Sequence, residues 1–523
     1  MRNRLQPLGF AFVIGILLLA QVCFAAPVTS KQAKRAVRGW LSLDKAPMGA
    51  EFAASTADTV KAYAVSDGDA AYYIVSLAGG GFVAVAGDDL VEPVVAFQEH
   101  GSFDADPDNP LYVLLEKDMR GRRAKARAMT GMDMATSAKT GKAKRWSKLL
   151  NAGEKAESGV ELSTETQSAS ISDVRVASLV SSRWDQSTVS TKNVYNYYTP
   201  SNYVCGCVAT AMSQLMRYHS YPTTSVGTAS FTISVDSSST TRSLRGGDGS
   251  GGAYSWSDMP YVPTSSITTV QQQAIGALTH DAGVSVGMSY TSSGSGTDTL
   301  EAGSAFTSTF HYANARKGFN SASNFAGTAL NKMVNPNLDA GYPVLLGITG
   351  SPGGHAIVCD GYGYESSTMY HHLNLGWSGS YDAWYNLPTI DVTSSFTFTS
   401  IYKCVYNVFP SKSGEIISGR VLDGNGDPIS GVTVTATPSG SGTTVSDTTD
   451  ANGIYGLAGV DSGTSYAVAA SINGYTFTSQ SVSTGTSSNL TTTCGNVWGT
   501  DFTGTASTAT DPAGPARSFL LLQ

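Results

Sequence analysis

The residue pattern with the clearest chemical meaning is a cysteine at the start of an amphipathic helix. Apolar side chains follow Cys207 at helical spacing, so the sequence predicts a helix over Cys207–His219 with one buried face. Gly206 precedes the cysteine and allows a tight turn into the helix. A thiol in the first turn meets the positive end of the helix dipole, which lowers its pKa. Cys207 is therefore a candidate nucleophile, although a small buried residue is the commoner role of a cysteine taken alone.

A nucleophilic thiolate needs a base that later protonates the leaving amine, and His355 is the histidine best placed for this role. It follows the turn Ser351-Pro352-Gly353-Gly354 and opens a predicted strand, so its imidazole can face a cleft beside Gly354. Asn374 can orient the imidazole through the other ring nitrogen. Trp377 can shield the pair from water, and a core aromatic is nearly as good an interpretation. The order Cys, His, Asn with long separations is that of papain-like sites, where the partners meet only in the fold.

The N-terminal residues are typical of a secretory signal peptide over residues 1–25. Arg2 and Arg4 supply a basic start, Leu8–Leu19 an apolar run, and Cys23-Phe24-Ala25 a cleavage site with small residues. We therefore expect a protein that is secreted or held at the cell surface, with no transmembrane segment in the mature chain.

The rest of the chain divides into three predicted folded units, as a length of 523 residues suggests at about 150 residues per domain. The N-terminal unit covers residues 27–120, and the central unit covers residues 172–410. Between them, residues 121–171 lack apolar periodicity and are predicted to be a linker. Ten basic residues fall between Arg120 and Lys148, opposed only by Asp133. This run is either a solvated segment or an exposed site of proteolytic processing.

The C-terminal unit, residues 413–505, has short alternating strands separated by turns, which predicts a β-sandwich, and residues 506–523 are expected to be disordered. The fold class is therefore α+β. The helices are expected at Lys31–Leu43, Leu111–Arg120, Cys207–His219 and Thr269–Ala282. The strands are expected at Ala71–Leu77, Phe82–Ala86, Val94–Phe97, Pro343–Ile348, His355–Asp360 and Met369–Asn374, and in the sandwich at Ile417–Leu422, Val432–Thr437, Ile454–Leu457 and Tyr466–Ala470.

The composition excludes several classes of protein. The net charge of −7 excludes the basic surface that a nucleic-acid partner needs. With only 14% charged residues, the chain also lacks the composition of a coiled coil. Six cysteines in 523 residues are too few for a disulfide-dense scaffold. Cys23 would leave with the signal peptide, and an odd number remains, so at least one thiol is free or pairs between molecules. The pairing of Cys205, Cys359, Cys404 and Cys494 stays open, with Cys205 favoured as a bystander beside Cys207.

The central unit resembles the streptopain family of secreted cysteine peptidases, and the resemblance implies a papain-like fold. It implies that Cys207 is the nucleophile, His355 the general acid and base, and Asn374 the residue that orients the histidine. It also implies that Gln186 stabilises the oxyanion beside the backbone N–H of Cys207. The motifs that carry it are Gly206–Ala211, Tyr218–Pro222, Asp281–Val284 with Met288–Tyr290, Gly354–Ala356 with Val358 and Asp360–Tyr362, Asn374–Trp377, and Trp184-Asp185-Gln186.

The sequence departs from the family pattern at two places near the histidine. Family members often carry Trp after the asparagine and Gly-Gly after the second Trp, where this chain has Leu375 and Ser378-Gly379. Both changes alter the wall around the histidine, and neither removes a catalytic group.

The flanking units resemble known modules as well. Tyr72–Val75 and Gly80–Asp89 resemble the inhibitory prosegment of the same family, which implies that the N-terminal unit is a prodomain covering the cleft until it is cleaved away. Ile417–Val421, Gly431–Val434 and Gly453–Leu457 resemble a carboxypeptidase-regulatory-like sandwich, a module that carries no chemistry of its own.

The sequence therefore predicts the secreted zymogen of a cysteine endopeptidase that cuts peptide bonds through a thiolate acyl-enzyme. Its partners would be protein or peptide substrates and its own prodomain as an intramolecular inhibitor, with no cofactor and no metal. One alternative is a surface binding or adhesion protein with an inactive peptidase-like domain, and another is a thiol acyltransferase. The presence of Cys207, His355, Asn374 and Gln186 together favours an enzyme over a binding protein. Substrates, subsite preference and oligomeric state stay open.

Overall fold

The computed structural model describes residues 26–50, 52, 56–64, 68–128, 141–158, 172–321, 325, 327–348, 354–387 and 401–507. The expected signal peptide, the turn residues 351–353 and residues 508–523 of the expected tail lie outside these ranges. Within them lie helices α1 Ser30–Leu43, α2 Pro110–Ala128, α3 Lys142–Glu157, α4 Cys207–His219, α5 Thr269–Ser285, α6 Glu301–Ser308 and α7 Gly327–Asp339. The predicted α+β class is confirmed, and the helices α1, α4 and α5 begin within one residue of their expected positions.

The strands fall into three groups that follow the predicted units. The N-terminal unit has β1 Ala57–Ala64, β2 Ala70–Leu77, β3 Phe82–Ala86 and β4 Val94–Gln98. The central unit has β5 Ser172–Val176, β6 Thr188–Val189, β7 Lys192–Asn193, β8 Ser230–Val235, β9 Ser238–Ser243, β10 Ser289–Thr291, β11 Gly294–Gly296, β12 Asn314–Phe319, β13 Val344–Ile348, β14 His355–Glu365, β15 Thr368–Asn374, β16 Ala383–Tyr385 and β17 Ile401–Phe409. The C-terminal unit has β18 Glu415–Asp423, β19 Thr433–Pro438, β20 Val445–Thr448, β21 Ile454–Val460, β22 Ser465–Ser471, β23 Tyr475–Thr476, β24 Gln480–Ser483 and β25 Phe502–Ala506.

One antiparallel sheet runs through both the N-terminal and the central unit. Its strand order is β1-β2-β3-β4-β16-β15-β14-β13-β17-β12, and β5 also pairs with β14. The two units join where β4 meets β16, with Phe97 opposite Trp384 and Ala96 opposite Tyr385. Every residue of β3 and β4 is buried, so this half of the sheet is covered on both faces. The N-terminal unit is therefore an extension of the central sheet.

The predicted linker is wrong for a large part of its length. Helix α2 continues to Ala128, and α3 lies within the supposed linker and packs along α1. The two helices approach closely, because a Cβ on Gly39 would lie 1.9 Å from the carbonyl oxygen of Leu149. Trp146 and Leu149 are buried, and Glu157 pairs with Arg35 at 2.9 Å. The apolar stripe of α3 is short and lies among basic residues, which hid its periodicity.

The central unit places helices on the sheet around the predicted site. Helix α4 contacts both α5 and β14, and its buried residues belong to an apolar core that includes Leu345 and Val358 of the sheet. The amino-terminal end of α4 and the amino-terminal end of β14 carry the two residues expected to react.

The C-terminal unit is a sandwich of two four-stranded sheets, as predicted, with orders β21-β18-β25-β23 and β20-β19-β22-β24. It is docked against the central unit through polar contacts. Ser418 donates a hydrogen bond to Asp339 at 2.7 Å, and Arg420 pairs with Asp173 of β5 at 2.8 Å. The sandwich therefore holds the first strand of the central unit.

Candidate active site

Cys207 is the first residue of α4, and the turn before it requires a glycine. Gly206 has a φ of 89°, a left-handed conformation that residues with a side chain rarely adopt. A Cβ at Gly206 would also lie 2.9 Å from the sulfur of Met288 and 2.9 Å from the carbonyl oxygen of Ser295. The sequence Gly-Cys thus puts a half-buried thiol at the positive end of a helix.

His355 is the first residue of β14, and its imidazole lies close enough to the Cys207 thiol for each group to shift the pKa of the other. Burial raises the pKa of Cys207, but the positive charge and the hydrogen bond of His355, together with the N–H groups of Ala356 and Val208, bring that pKa below its ordinary value. Burial lowers the pKa of His355. The charge of Cys207, hydrogen bonding to Cys207 and the hydrogen bond to the Leu375 carbonyl together raise this pKa above its ordinary value. Both shifts favour a thiolate beside an imidazolium.

The partner of the other imidazole nitrogen is a backbone carbonyl. Nε2 of His355 lies 3.1 Å from the carbonyl oxygen of Leu375, which can only accept, so Nε2 carries a proton. This leaves Nδ1 to meet the thiol. Leu375 itself is fully buried. The expectation that Asn374 orients the histidine directly is therefore not what the structure shows, because its amide is bonded elsewhere.

Asn374 holds the turn that carries this carbonyl. Its Oδ1 accepts hydrogen bonds from Gln214 Nε2 at 2.9 Å and from the N–H of Gly376 at 3.1 Å. Its Nδ2 donates to the carbonyl oxygen of Ser182 at 2.8 Å. The N–H of Gly376 and the carbonyl of Leu375 belong to one peptide group, so Asn374 acts on the acceptor of His355.

Gln214 is a residue of this site that the sequence analysis missed. It is fully buried on α4, and its Oε1 accepts hydrogen bonds from Ser182 Oγ at 3.1 Å and from the N–H of Trp184 at 3.2 Å. Its amide therefore links α4 to the segment before Gln186 and to Asn374. Its one sequence signal is a polar residue seven positions after Cys207, on the buried face of the helix.

Gln186 lies beside the residues that lead into α4. Its carbonyl oxygen accepts a hydrogen bond from the N–H of Cys205 at 2.8 Å. The carbonyl oxygen of the preceding Asp185 accepts from Thr210 Oγ1 of α4 at 3.1 Å, and Asp185 Oδ2 accepts from Ser378 Oγ at 2.7 Å. The segment with Gln186 is thus hydrogen-bonded to α4 and to the loop after Asn374.

The two expected wall residues have different surroundings. Gly354 is exposed and directly precedes His355. Trp377 is half-buried in the loop after Leu375, and its ring lies 5.8 Å from that of Tyr381. Trp377 therefore follows the acceptor carbonyl closely in the chain.

The five described cysteines are all free thiols. Burial raises the pKa of Cys205 to about 12, even though Thr210 Oγ1 lies 3.3 Å from its sulfur. The pKa of Cys207 is shifted the opposite way, so the two neighbouring thiols are chemically distinct. Among the described residues, no group of three or more His, Cys, Asp and Glu side chains is placed to hold a metal ion.

Such an arrangement supports nucleophilic attack on a carbonyl carbon followed by protonation of the leaving group. A lowered thiol pKa and a raised imidazole pKa are the shifts that this chemistry needs at neutral pH.

Three family models match the chain in the order of its units. Residues 184–385 match the Peptidase C10 family, residues 25–120 match the model described as Spi protease inhibitor, and residues 416–494 match the carboxypeptidase regulatory-like domain.

Curated relatives include a protein named as a thiol protease. The chain is 27% identical over 378 residues to Thiol protease/hemagglutinin PrtT from Porphyromonas gingivalis, which covers 70% of this chain and 40% of that protein. It is 24% identical over 370 residues to Streptopain from Streptococcus pyogenes, which covers 67% of this chain and 78% of that protein. The chain thus spans less than half the length of PrtT.

Two solved structures from Prevotella intermedia are similar over part of the chain. A prointerpain A fragment is 20% identical, with a TM-score of 0.46, and covers 68% of this chain and 99% of that one. Active wild-type interpain A is 26% identical, with a TM-score of 0.36, and covers 44% of this chain and 93% of that one. By the family models, the chain thus has a Peptidase C10 domain at residues 184–385, a unit similar to the Spi protease inhibitor before it and a carboxypeptidase regulatory-like domain after it.

Proposed function

We propose that the chain is the precursor of an exported cysteine endopeptidase in which Cys207 is the nucleophile and His355 the general acid and base. The observation that carries the proposal is the pairing of the Cys207 thiol, at the start of a helix, with the His355 imidazole, whose Nε2 is held by the Leu375 carbonyl at 3.1 Å. A helix, a strand and the loop that carries Leu375 converge on this pair, which supports a site built for reaction.

In the first half of the reaction, the Cys207 thiolate attacks the carbonyl carbon of the scissile peptide bond, and a C–S bond forms. The oxyanion that develops is stabilised by the backbone N–H of Cys207 and by Gln186, the expected oxyanion-hole residue. His355 then donates its Nδ1 proton to the leaving nitrogen, the C–N bond breaks, and a thioester remains on Cys207.

In the second half, water attacks the thioester while His355 accepts one of its protons. The C–S bond breaks, the acid product leaves, and the thiolate–imidazolium pair is restored. Throughout both halves, the Leu375 carbonyl keeps Nε2 protonated, so Nδ1 is the nitrogen that exchanges protons with substrate and water.

The N-terminal unit is proposed to be the intramolecular inhibitor of this site. It adds its sheet to the central unit at β16, and the contact is reinforced by a buried polar network. Arg122 donates to Asp118 at 2.9 Å and to Asn386 Oδ1 at 2.7 Å, and Tyr385 donates to Asp118 at 2.6 Å. Such a unit leaves only if the precursor is cut and this network opens.

The cut that releases the N-terminal unit is proposed to lie between Arg120 and Val174, outside helices α2 and α3. A peptide bond must be extended to enter a protease cleft, and residues in a packed helix are not. Arg145 of α3 also pairs with Glu92 of the N-terminal unit at 2.8 Å and with Glu365 of the central unit, so α3 belongs to the docked unit.

Export rests on the signal-like first 25 residues. No helix within the described ranges combines the length and apolar character needed to cross a membrane. The C-terminal unit is proposed to stay with the enzyme after maturation, because its contacts with Asp173 and Asp339 lie within the central unit.

Maturation in solution tests this proposal. Purified precursor is expected to convert to a shorter form that retains both the central and the C-terminal unit, as read by gel and intact mass. The Cys207→Ala precursor is expected to remain full length under the same conditions. Conversion of that variant at the wild-type rate, with no other protease present, would rule out self-processing by Cys207.

A further inference from the structure

We propose that Asp382 is a positioning residue for His355 that acts through the backbone of Leu375. This inference rests on the proposed function, since it concerns how the same histidine is held.

The geometry is a short chain of hydrogen bonds through one residue. Asp382 Oδ1 accepts a hydrogen bond from the N–H of Leu375 at 2.9 Å. The carbonyl of the same Leu375 accepts the hydrogen bond from Nε2 of His355 at 3.1 Å. Asp382 holds the peptide group before the Leu375 Cα, and Asn374 holds the peptide group after it through Gly376 at 3.1 Å. The acceptor carbonyl is thus fixed from both sides.

Asp382 is itself placed by its neighbours. It follows a loop whose N–H groups are used elsewhere: Ser378 donates to the Trp184 carbonyl at 3.0 Å, and Ser380 donates to the Trp377 carbonyl at 2.9 Å. It then leads directly into β16, where Ala383 lies opposite Leu373 of β15. Asp382 directly precedes β16 and Leu375 directly follows β15, so the two residues lie at the same end of two paired strands. The pairing of the strands therefore fixes the distance between the carboxylate and the N–H of Leu375.

A contact between a histidine and a carboxylate adds to the charges that act on Asp382. His372 Nδ1 contacts Asp360 Oδ1 at 2.6 Å, and Asp360 Oδ2 accepts hydrogen bonds from Ser178 Oγ at 2.8 Å and from the N–H of Val180 at 2.9 Å. Burial lowers the pKa of His372, and Asp360, Asp382 and Glu99 raise it above the ordinary value. His372, on β15, is thus one of the groups whose charge acts on Asp382.

The charges around Asp382 come from several segments of the chain. Burial raises its pKa to about 6, the charges of His372 and Arg183 and the N–H of Leu375 lower it, and Asp360 raises it. Glu99 and His100 come from the N-terminal unit, and with Asp382 and His372 they line a cavity of about 640 Å³ between the two units. The carboxylate is therefore near the docking surface of the prodomain as well as near the histidine.

If Asp382 positions His355, its removal should change the protonation of the site and not only the stability of the fold. Without the acceptor at Asp382, the Leu375 peptide can rotate, and the bond from Nε2 of His355 weakens. A weaker bond disfavours the imidazolium and with it the thiolate of Cys207. Removing Asp382 should thus change the protonation of a thiol on a different element.

The test is the pH profile of Cys207 alkylation by iodoacetamide in the full chain, read residue by residue by mass spectrometry. In the wild type, Cys207 is expected to react well below the pH at which an ordinary thiol ionises, about 8.5. Asp382→Ala should move the midpoint of this profile upward and lower the Cys207 rate at pH 6 by about tenfold. Asp382→Asn keeps an oxygen that can accept from Leu375, so it should stay close to wild type.

A matched control removes a carboxylate that accepts backbone N–H groups elsewhere. Asp423 in the C-terminal unit accepts from Asn425 at 2.8 Å and from Asp427 at 2.9 Å, and Asp423→Ala should leave the Cys207 profile unchanged. An unchanged profile in Asp382→Ala overturns the inference, as does an equal shift in Asp382→Asn. A wild-type Cys207 that reacts only like an ordinary thiol would instead overturn the proposed function.

Discussion

His355 donates from Nε2 to the carbonyl oxygen of Leu375, and no side chain takes that place. The N–H of the same peptide group, on Gly376, donates to Asn374 Oδ1 at 3.1 Å. A peptide group whose N–H is engaged in this way is a better acceptor at its oxygen, because hydrogen bonds in series polarise one another. Asn374 thus supports His355 indirectly, through the peptide group between Leu375 and Gly376.

Substitution of Asn374 should therefore impair the enzyme without abolishing it. Asn374→Ala leaves His355 its own acceptor, but it frees the peptide that carries this acceptor and unpairs the buried amide of Gln214. We expect kcat/KM per titrated site to fall by about tenfold and Tm to fall. Steady-state kinetics on a peptide substrate and thermal melting measure both.

Asn335 provides the control for this variant. It is a fully buried amide that contacts His371 at 2.8 Å, in the same domain, and it makes no contact with His355. Asn335→Ala should lower Tm while activity per titrated site stays near wild type. A loss in Asn374→Ala as complete as that of Cys207→Ala would mean that the amide acts on the reacting atoms directly.

The docking of the N-terminal unit should depend on Arg122. Its guanidinium is buried and pairs with Asp118 at 2.8 Å, so Arg122→Ala leaves a buried carboxylate without its countercharge. Breaking a buried pair in this way costs about 3–5 kcal/mol. We expect the Arg122→Ala precursor to mature faster than wild type, as followed by gel over time, with unchanged activity once mature.

Arg120 on the same helix is the matched control. It pairs with Glu116 at 2.6 Å, but its side chain is 51% exposed, and exposed pairs contribute about 0–1 kcal/mol. Arg120→Ala should mature at the wild-type rate. Equal rates for both variants would contradict the assigned role of the buried network.

The contact between the central unit and the sandwich should weaken as pH rises. Burial raises the pKa of Asp339 to about 7, against smaller lowering effects of the hydroxyls of Ser418 and Tyr362. A carboxyl group with a higher pKa in the folded protein than its usual value near 3.9 binds its proton more tightly when folded. Its contribution to stability is therefore greatest at low pH and is lost as pH rises through about 7.

Asp339→Asn removes this titration. We expect its Tm, relative to wild type, to increase as pH rises from 5 to 8.5. Asp423→Asn serves as the control, since backbone N–H groups of Asp427 and Asn425 lower the pKa of Asp423 and its ionisation is complete over that range. A difference in Tm between Asp339→Asn and wild type that is constant with pH would contradict the assignment.

Local patterns were enough to predict the two elements that carry Cys207 and His355. The helix over Cys207–His219 and the strand from His355 follow from residue spacing, and the structure places both as expected. The sandwich was equally readable, because its strands alternate and its turns carry glycine and asparagine. What these patterns share is that the signal lies within a few consecutive residues.

Tertiary contacts were not readable in the same way. The Leu375 acceptor is a backbone atom, and any side chain at that position would offer the same oxygen. The β4–β16 junction depends on a three-residue strand, Ala383–Tyr385, which is too short to show a pattern. Helix α3 has no readable signal in its own segment, because its partner α1 lies about a hundred residues earlier and its few apolar residues are explained only by packing against that partner.

Cys207, and no other thiol, is proposed to perform the chemistry, and its neighbour Cys205 provides the sharpest comparison. Both are thiols two residues apart, but Cys205 is buried with a pKa of about 12, whereas the pKa of Cys207 is lowered by His355. The measurement is casein degradation by matured wild type, Cys205→Ala and Cys207→Ala, the last cut in trans and repurified. We predict that Cys205→Ala retains the activity and that Cys207→Ala has none. Full degradation of casein by Cys207→Ala would show that the reaction does not depend on Cys207.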